Sequence, residues 1–227
     1  MATSGSTNFS MNAREVITKA LRKALIIRAD ETASATDAAD GLQSLNLMLK
    51  TWSTKAHLFI TTRQSLALVN AQADYTLTAA RRVISARRKT SGVEVPLEVY
   101  SRQEYDDTPM KASIGYPQGY YFNPQRSSRT MSLWPVPNAA IAATTTIEIT
   151  YDRVIEDVDT LDDDLDIPQE WLECIIYNLA ARIGSEFGSN STNPDFQDVK
   201  QQAGALLAGL NADDQETASI FFAPGYQ

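Results

Sequence analysis

The sequence predicts an α+β fold: a four-helix bundle built from an N-terminal and a C-terminal helix pair, with an antiparallel β subdomain inserted between them. Three observations predict it. Apolar residues recur at helical spacing near both ends, strand-like alternation fills the middle, and turn residues separate the two regimes.

Asn12 is the expected cap of the first helix, whose stripe is Val16, Ile17, Ala20, Leu21, Ala24 and Ile27. Arg14, Lys19, Arg22, Lys23 and Arg28 make its polar side basic. Thr36 or Asp37 is the expected cap of a second helix with the stripe Leu42, Leu45, Leu49 and Trp52. Two amphipathic helices joined by a short loop favour an antiparallel hairpin.

The period changes after His57. Residues 65–69 and 74–78 alternate and predict a hairpin, and residues 82–89 and 93–99 predict another around Ser91-Gly92. Pro96 puts its strand on an edge or at a bulge. Ser101, with Glu104 three residues on, is the signature of a capping box on a short helix. Residues 115–122 and 129–135 form a third expected pair, and residues 144–151 a last strand rich in β-branched residues. An antiparallel sheet or small sandwich follows.

Pro168 sits in the first turn of a third expected helix, striped by Trp171, Leu172, Ile175, Leu179, Ile183 and Phe187. Asn193 caps a fourth, with Phe196, Val199, Ala203, Leu206 and Leu210. The expected organisation is a flexible arm at 1–11, a helical core at 12–58 and 167–212, a β subdomain at 59–155, an acidic linker at 156–166 and a tail at 213–227.

The chain has 227 residues, 43% hydrophobic, with a formal net charge of -8. That is enough apolar content for a core, and the average charge does not wrap DNA. Cys174, the only cysteine, lies in an apolar helical context and reads as a buried thiol, with no intrachain disulfide or zinc cluster available to it. No apolar run is long enough for a membrane span, and the first ten residues lack the pattern of a signal peptide. The acidic run 156–166 lacks the glycine and glutamate of an EF-hand loop, and is expected to be a solvated linker that favours the N-terminus of the helix after it.

The basic strand carries Arg81, Arg82, Arg87, Arg88 and Lys89. Alternation puts Arg82 and Arg88 on one face, Arg81 and Arg87 on the other. It reads either as a charged sheet edge or as a contact for DNA phosphates or an acidic partner. Tyr116, Tyr120, Tyr121, Phe122 and Trp134 read as core or as a base-stacking platform. Ile220, Phe221, Phe222 and Tyr226 end an otherwise polar stretch, and dock on another subunit or fold back on their own core. The standard nucleotide, hydrolase and zinc-protease motifs do not occur, so the chain reads as no enzyme and as needing no cofactor.

The opening helix 13–25, the second helix 40–52, the phrases 115–121 and Leu133-Trp134-Pro135-Val136-Pro137, and the return helix from Ile167-Pro168 to Ile183 occur in one order. In that order the chain resembles the head-to-tail adaptor proteins (tail accessory factors, head completion proteins) of P22-like tailed bacteriophages, although P22-like members are shorter and lack most of the β block. The resemblance implies a structural protein made in the host cytoplasm and residing in the virion at the portal–tail junction. It implies a ring, of about twelve copies by cyclic symmetry, that binds the portal protein and closes the DNA channel after packaging. It also implies a surface for the tail nozzle, fibres or spikes, and viral double-stranded DNA passing through without sticking to an acidic wall. Portal contacts are expected from Ile220, Phe221, Phe222 and Tyr226 with Leu206 and Leu210 of the fourth helix. The alternatives are a DNA-binding module using residues 81–89 and a cell-wall hydrolase.

Overall fold

The computed structural model describes residues 3–54, 58–126, 128–188 and 193–214. The protein is α+β. Its helices are α1 (Ala13–Lys23), α2 (Ala35–Trp52), α3 (Arg102–Asp106), α4 (Ala139–Thr144), α5 (Leu172–Glu186) and α6 (Pro194–Asp213). Its strands are β1 (Thr61–Ala67), β2 (Asp74–Thr76), β3 (Ala80–Thr90), β4 (Val93–Pro96), β5 (Glu98–Val99), β6 (Gly119–Pro124), β7 (Arg129–Trp134) and β8 (Thr145–Arg153). The chain divides into two compact units, Met1–Phe59 with Ile155–Gln227, and Ile60–Val154.

In the helical unit, Asn12 caps α1 through a complete capping box with Glu15. Val16, Ile17, Ala20 and Leu21 are buried. The helix stops before Ile27. Leu25 takes φ 60°, Ile26 N–H donates to Leu21 O and Leu25 N–H to Arg22 O, which is Schellman closure without a glycine. Ser34, not Thr36 or Asp37, caps α2 by accepting from Asp37 N–H. Gly41 of α2 faces Ile17 so closely that a Cβ there would lie 2.5 Å from Ile17 Cγ2, so glycine permits the α1–α2 approach.

The helix contacts do not establish the expected four-helix bundle. Helix α5 packs against α1, α2 and α6, while α6 rests chiefly on α5. Helix α5 is apolar around most of its girth, with Leu172, Cys174, Ile175, Ile176, Leu179 and Ile183 all buried. Phe187, expected on that stripe, is exposed just beyond the helix. Asn178 ties α5 to α6, its Nδ2 donating to Cys174 O at 2.9 Å and Ala203 O at 3.1 Å. Trp171 packs edge-on against Trp52 and tilted against Phe59.

The acidic segment serves a different helix from the one expected. Ala13 N–H donates to Asp163 O at 2.9 Å and Arg14 N–H to Leu161 O at 2.8 Å, so it caps the N-terminus of α1 rather than the helix that follows it. Arg14 pairs with Asp162 at 3.1 Å and Lys50 with Asp157 at 2.6 Å. Asn46 mimics a strand partner: Val158 N–H donates to its Oδ1 at 3.0 Å and its Nδ2 donates to Val158 O at 2.8 Å. Polar groups of α1 and α2 thus hold the segment along its length.

The β unit is two four-stranded sheets, ordered β1-β8-β3-β4 and β2-β7-β6-β5. Its core brings Ala86, Ile147, Ile149 and Tyr151 of the first sheet together with Tyr75, Tyr120, Met131 and Leu133 of the second. The expected pairing of residues 65–69 with 74–78 does not form. β1 pairs with β8 and β2 with β7, so the chain changes sheet between them. A seven-residue ladder on β8 satisfies more of β1's backbone than the three-residue β2 offers. The β3–β4 hairpin forms as expected, Thr90 facing Val93 across Ser91 (φ 50°) and Gly92 (φ 85°), and Pro96 lies on the edge strand β4. β6 pairs antiparallel with β7, while β5 joins β6 in parallel, so the second sheet is mixed. Ser101 and Glu104 form the capping box of α3.

Register shifts in β3 between Ala80 and Arg82, and between Val83 and Ser85, change its facing pattern. Each bulge inserts one unpaired residue and reverses the alternation. Arg82 and Arg87 therefore share the face opposite the core, facing Asp152 and Glu148, while Arg88 faces Ile147 on the core side. Asp152 is only 1% exposed and pairs with Arg81 at 3.3 Å and Arg82 at 2.8 Å.

Asn46→Ala is expected to lower stability by about 2 kcal/mol, read from the denaturant midpoint, because two Val158 backbone groups lose their partner. A loss below about 0.5 kcal/mol would mean the amide does not hold the segment. Replacing Arg81 and Arg82 together by Ala leaves Asp152 buried without a cation and should cost about 3 kcal/mol. Arg87→Ala, at an exposed pair, should cost less than about 1 kcal/mol, and equal losses would contradict the assignment. Hydrogen bonds from Thr160 and Asp159 hold Asp163 below the usual carboxylate range. Its contribution is therefore present above the ordinary carboxylate pKa and lost as pH falls through the lower folded value. Asp163→Asn should flatten the acid limb of the pH–stability curve below about pH 4, and an unaltered limb would count against it.

Candidate functional site

Nucleophilic chemistry finds no support at Cys174. The thiol is buried on α5 and burial pushes its pKa up to about 11, with the Asn178 amide only partly offsetting this. It stays protonated and packs as a small apolar group. His57 lies outside the described residues. No group of three or more metal-ligating side chains occurs among the described residues. Nor, among them, is any helix long and apolar enough to cross a membrane.

The basic strand is largely occupied by its own sheet. Arg81 and Arg82 hold Asp152. Arg87 lies 3.6 Å from Glu94, which also takes Arg63 at 2.8 Å, and Arg63 reaches Glu148 at 3.5 Å. Arg88 donates to Pro117 O at 3.1 Å and lies over the Tyr116 ring at 5.0 Å. Lys89 faces Thr146. The four arginines that look like a patch in the sequence are thus distributed over two faces; Arg81 and Arg82 share Asp152 and Arg87 shares Glu94 with Arg63, so the strand is paired in part and keeps a positive excess.

The aromatic group is also divided by strand alternation. Tyr120 is buried and Phe122 packs on the same core. Tyr121, on the other face, stacks on Tyr105 at 5.5 Å and lies under Arg102. Trp134 meets Tyr100 edge-on, and Tyr116 is exposed. No continuous stacking platform results. Exposed apolar side chains instead mark this unit: Met110 at 70%, Ile114 at 65%, Val93 at 63% and Val99 at 62%.

In the helical unit, α1 and α5 border a cleft of about 590 Å³. Lys19, Arg22 and Lys23 come from α1, Leu172, Ile176 and Tyr177 from α5, and Phe9 and Met11 from the arm. Lys23 Nζ donates to Tyr177 Oη at 2.8 Å. The basic face of α1 was legible from its spacing. Its confrontation with an apolar wall depends on α5 returning from more than a hundred residues away. Leu206 and Leu210 are half-buried and line a second groove with Glu173, Gly209 and Asp213, between α6 and the start of α5. Ile220, Phe221, Phe222 and Tyr226 lie outside the described residues.

Three solved structures are similar at low identity. The neck of an empty GTA particle computed with C6 symmetry is 14% identical, covering 96% of this chain and 97% of that chain, with a TM-score of 0.30. The virion of a native gene transfer agent particle is 13% identical over 96% and 97%, with a TM-score of 0.32. The neck of a native GTA particle computed with C12 symmetry is 13% identical over 97% and 99%, with a TM-score of 0.27. At these TM-scores the three likenesses decide nothing about fold or assembly. No match is found among curated proteins. The model of the SU10 adaptor protein family matches residues 11–225, both compact units included. The chain belongs to the SU10 adaptor protein family.

Proposed function

We propose that this protein is a structural head-to-tail adaptor of a tailed bacteriophage, assembling as a multi-copy ring on the portal at the neck of the virion. The family match across residues 11–225 carries this reading. The geometry is in keeping with it: exposed apolar side chains are suited to protein neighbours. The net charge of -8 suits a channel wall past which DNA slides without adhering. In this reading the ring closes the channel after packaging and presents a surface to the tail, needs no cofactor, and does no chemistry. Residues 219–227 and the α6 leucines Leu206 and Leu210 grip the portal.

Native mass of the purified protein, alone and mixed with portal rings of its own phage, tests the proposal. A monomer that joins the portal in a fixed multiple of about twelve is the expected result. A chain that ignores the portal overturns it. Deleting residues 219–227 should abolish portal binding while the chain still folds and unfolds cooperatively, and unchanged binding would remove the tail from the interface.

A further inference from the structure

We propose that the cleft between α1 and α5 is the docking site for residues 215–227 of the same chain, the segment that follows α6. The inference goes beyond the adaptor reading and does not rest on it, since it concerns the isolated chain.

Charge is the first argument. Lys19, Arg22 and Lys23 stand in one cleft, and among the described residues no carboxylate pairs with any of them. Arg22 Nη2 is used by the Glu31 carbonyl, while its Nε is buried without a partner. Elsewhere in this acidic protein Arg14 and Arg81, Arg82 and Arg87 of β3 have found carboxylates. The chain around the end of α6 supplies Asp213, Asp214 and Glu216.

Apolar matching is the second. Leu172 and Ile176 form the floor of the cleft, and Phe9 at its mouth is 65% exposed. A basic rim over an aliphatic floor fits a segment that is acidic and then aromatic. Glu216 followed by Ile220, Phe221, Phe222 and Tyr226 has that order.

Reach is the third. Asp213 ends α6 in the groove that it shares with Glu173, and Glu173 also lines the cleft. The segment therefore starts beside the site. Five extended residues span about 16 Å, more than the roughly 10 Å width of the helix to be crossed. Residues 215–219 suffice to bring Ile220 and Phe221 over Leu172 and Ile176. Docking in the same chain would keep the aromatic residues from water until a partner competes for them.

Disulfide trapping in the full chain tests this. Tyr177→Cys and Phe222→Cys are introduced together, and oxidised glutathione accepts the two electrons as the two thiols lose their protons and join. Cys174, buried and protonated, does not compete. The expected product is a monomer lighter by two hydrogens, formed at a rate independent of protein concentration. It should form at least about tenfold faster than in a control pairing Phe222→Cys with Gln43→Cys, an exposed position on α2. Adding Lys19→Glu and Lys23→Glu should remove most of that advantage. Trapping no faster than the control overturns the proposal, as does a link formed chiefly between chains, which would assign the cleft to a second copy. If Tyr177→Cys does not fold, Gln169→Cys on the same cleft replaces it with the same expected ratio. Failure here leaves portal binding untouched, and failure to bind the portal leaves the trapping result intact.

Discussion

Burial of α5 is the constraint on which the helical unit depends. A helix that is apolar around most of its circumference cannot lie on a surface. It must be covered from several sides, and α1, α2 and α6 do so. Each makes a different concession. α2 gives up a side chain at Gly41 to admit Ile17. α6 contributes only Phe196 and Ala203 as fully buried residues and leaves Leu206 and Leu210 in a groove. Asn178, a part-buried amide drawn into this packing, donates to carbonyls of two helices.

The chain leaves the helical unit after α2 and returns to it through the acidic segment. That return is held by backbone and amide hydrogen bonds more than by charge. Asn46 pairs with Val158, and the carbonyls of Leu161 and Asp163 take the first free N–H groups of α1. The carboxylates are mostly exposed and serve as surface pairs, which contribute little one by one. The same segment that reads as a solvated linker therefore acts as the cap of a helix that begins the chain.

Charge is handled differently in the two units. On the β unit, cross-strand pairing brings Asp152, Glu94 and Glu148 against the arginines and draws part of the positive run into ion pairs. On the helical unit, Lys19, Arg22 and Lys23 keep their charge over an apolar floor. A protein whose role is to hold neighbours has more use for the second arrangement than the first. Cations without a carboxylate partner beside buried aliphatic side chains recognise acidic, apolar segments.

Local information was enough for much of this protein. The Asn12 cap, the Ser101 capping box, the Ser91-Gly92 turn, the edge position signalled by Pro96 and most of the stripe of α5 depend on residues near each other in the chain, and were readable in the sequence. So were an α+β fold and the adaptor class. What the tertiary structure alone decided depends on partners far apart in the chain. β1 abandons its neighbour in sequence for β8 because that ladder is longer. Two bulges reverse the facing of β3, and periodicity cannot announce an inserted residue. Asp163 and Leu161 cap α1 from about 150 residues away, since any carbonyl brought to those N–H groups would serve. Spacing determines which side chains share a face; only the folded chain determines what each face meets.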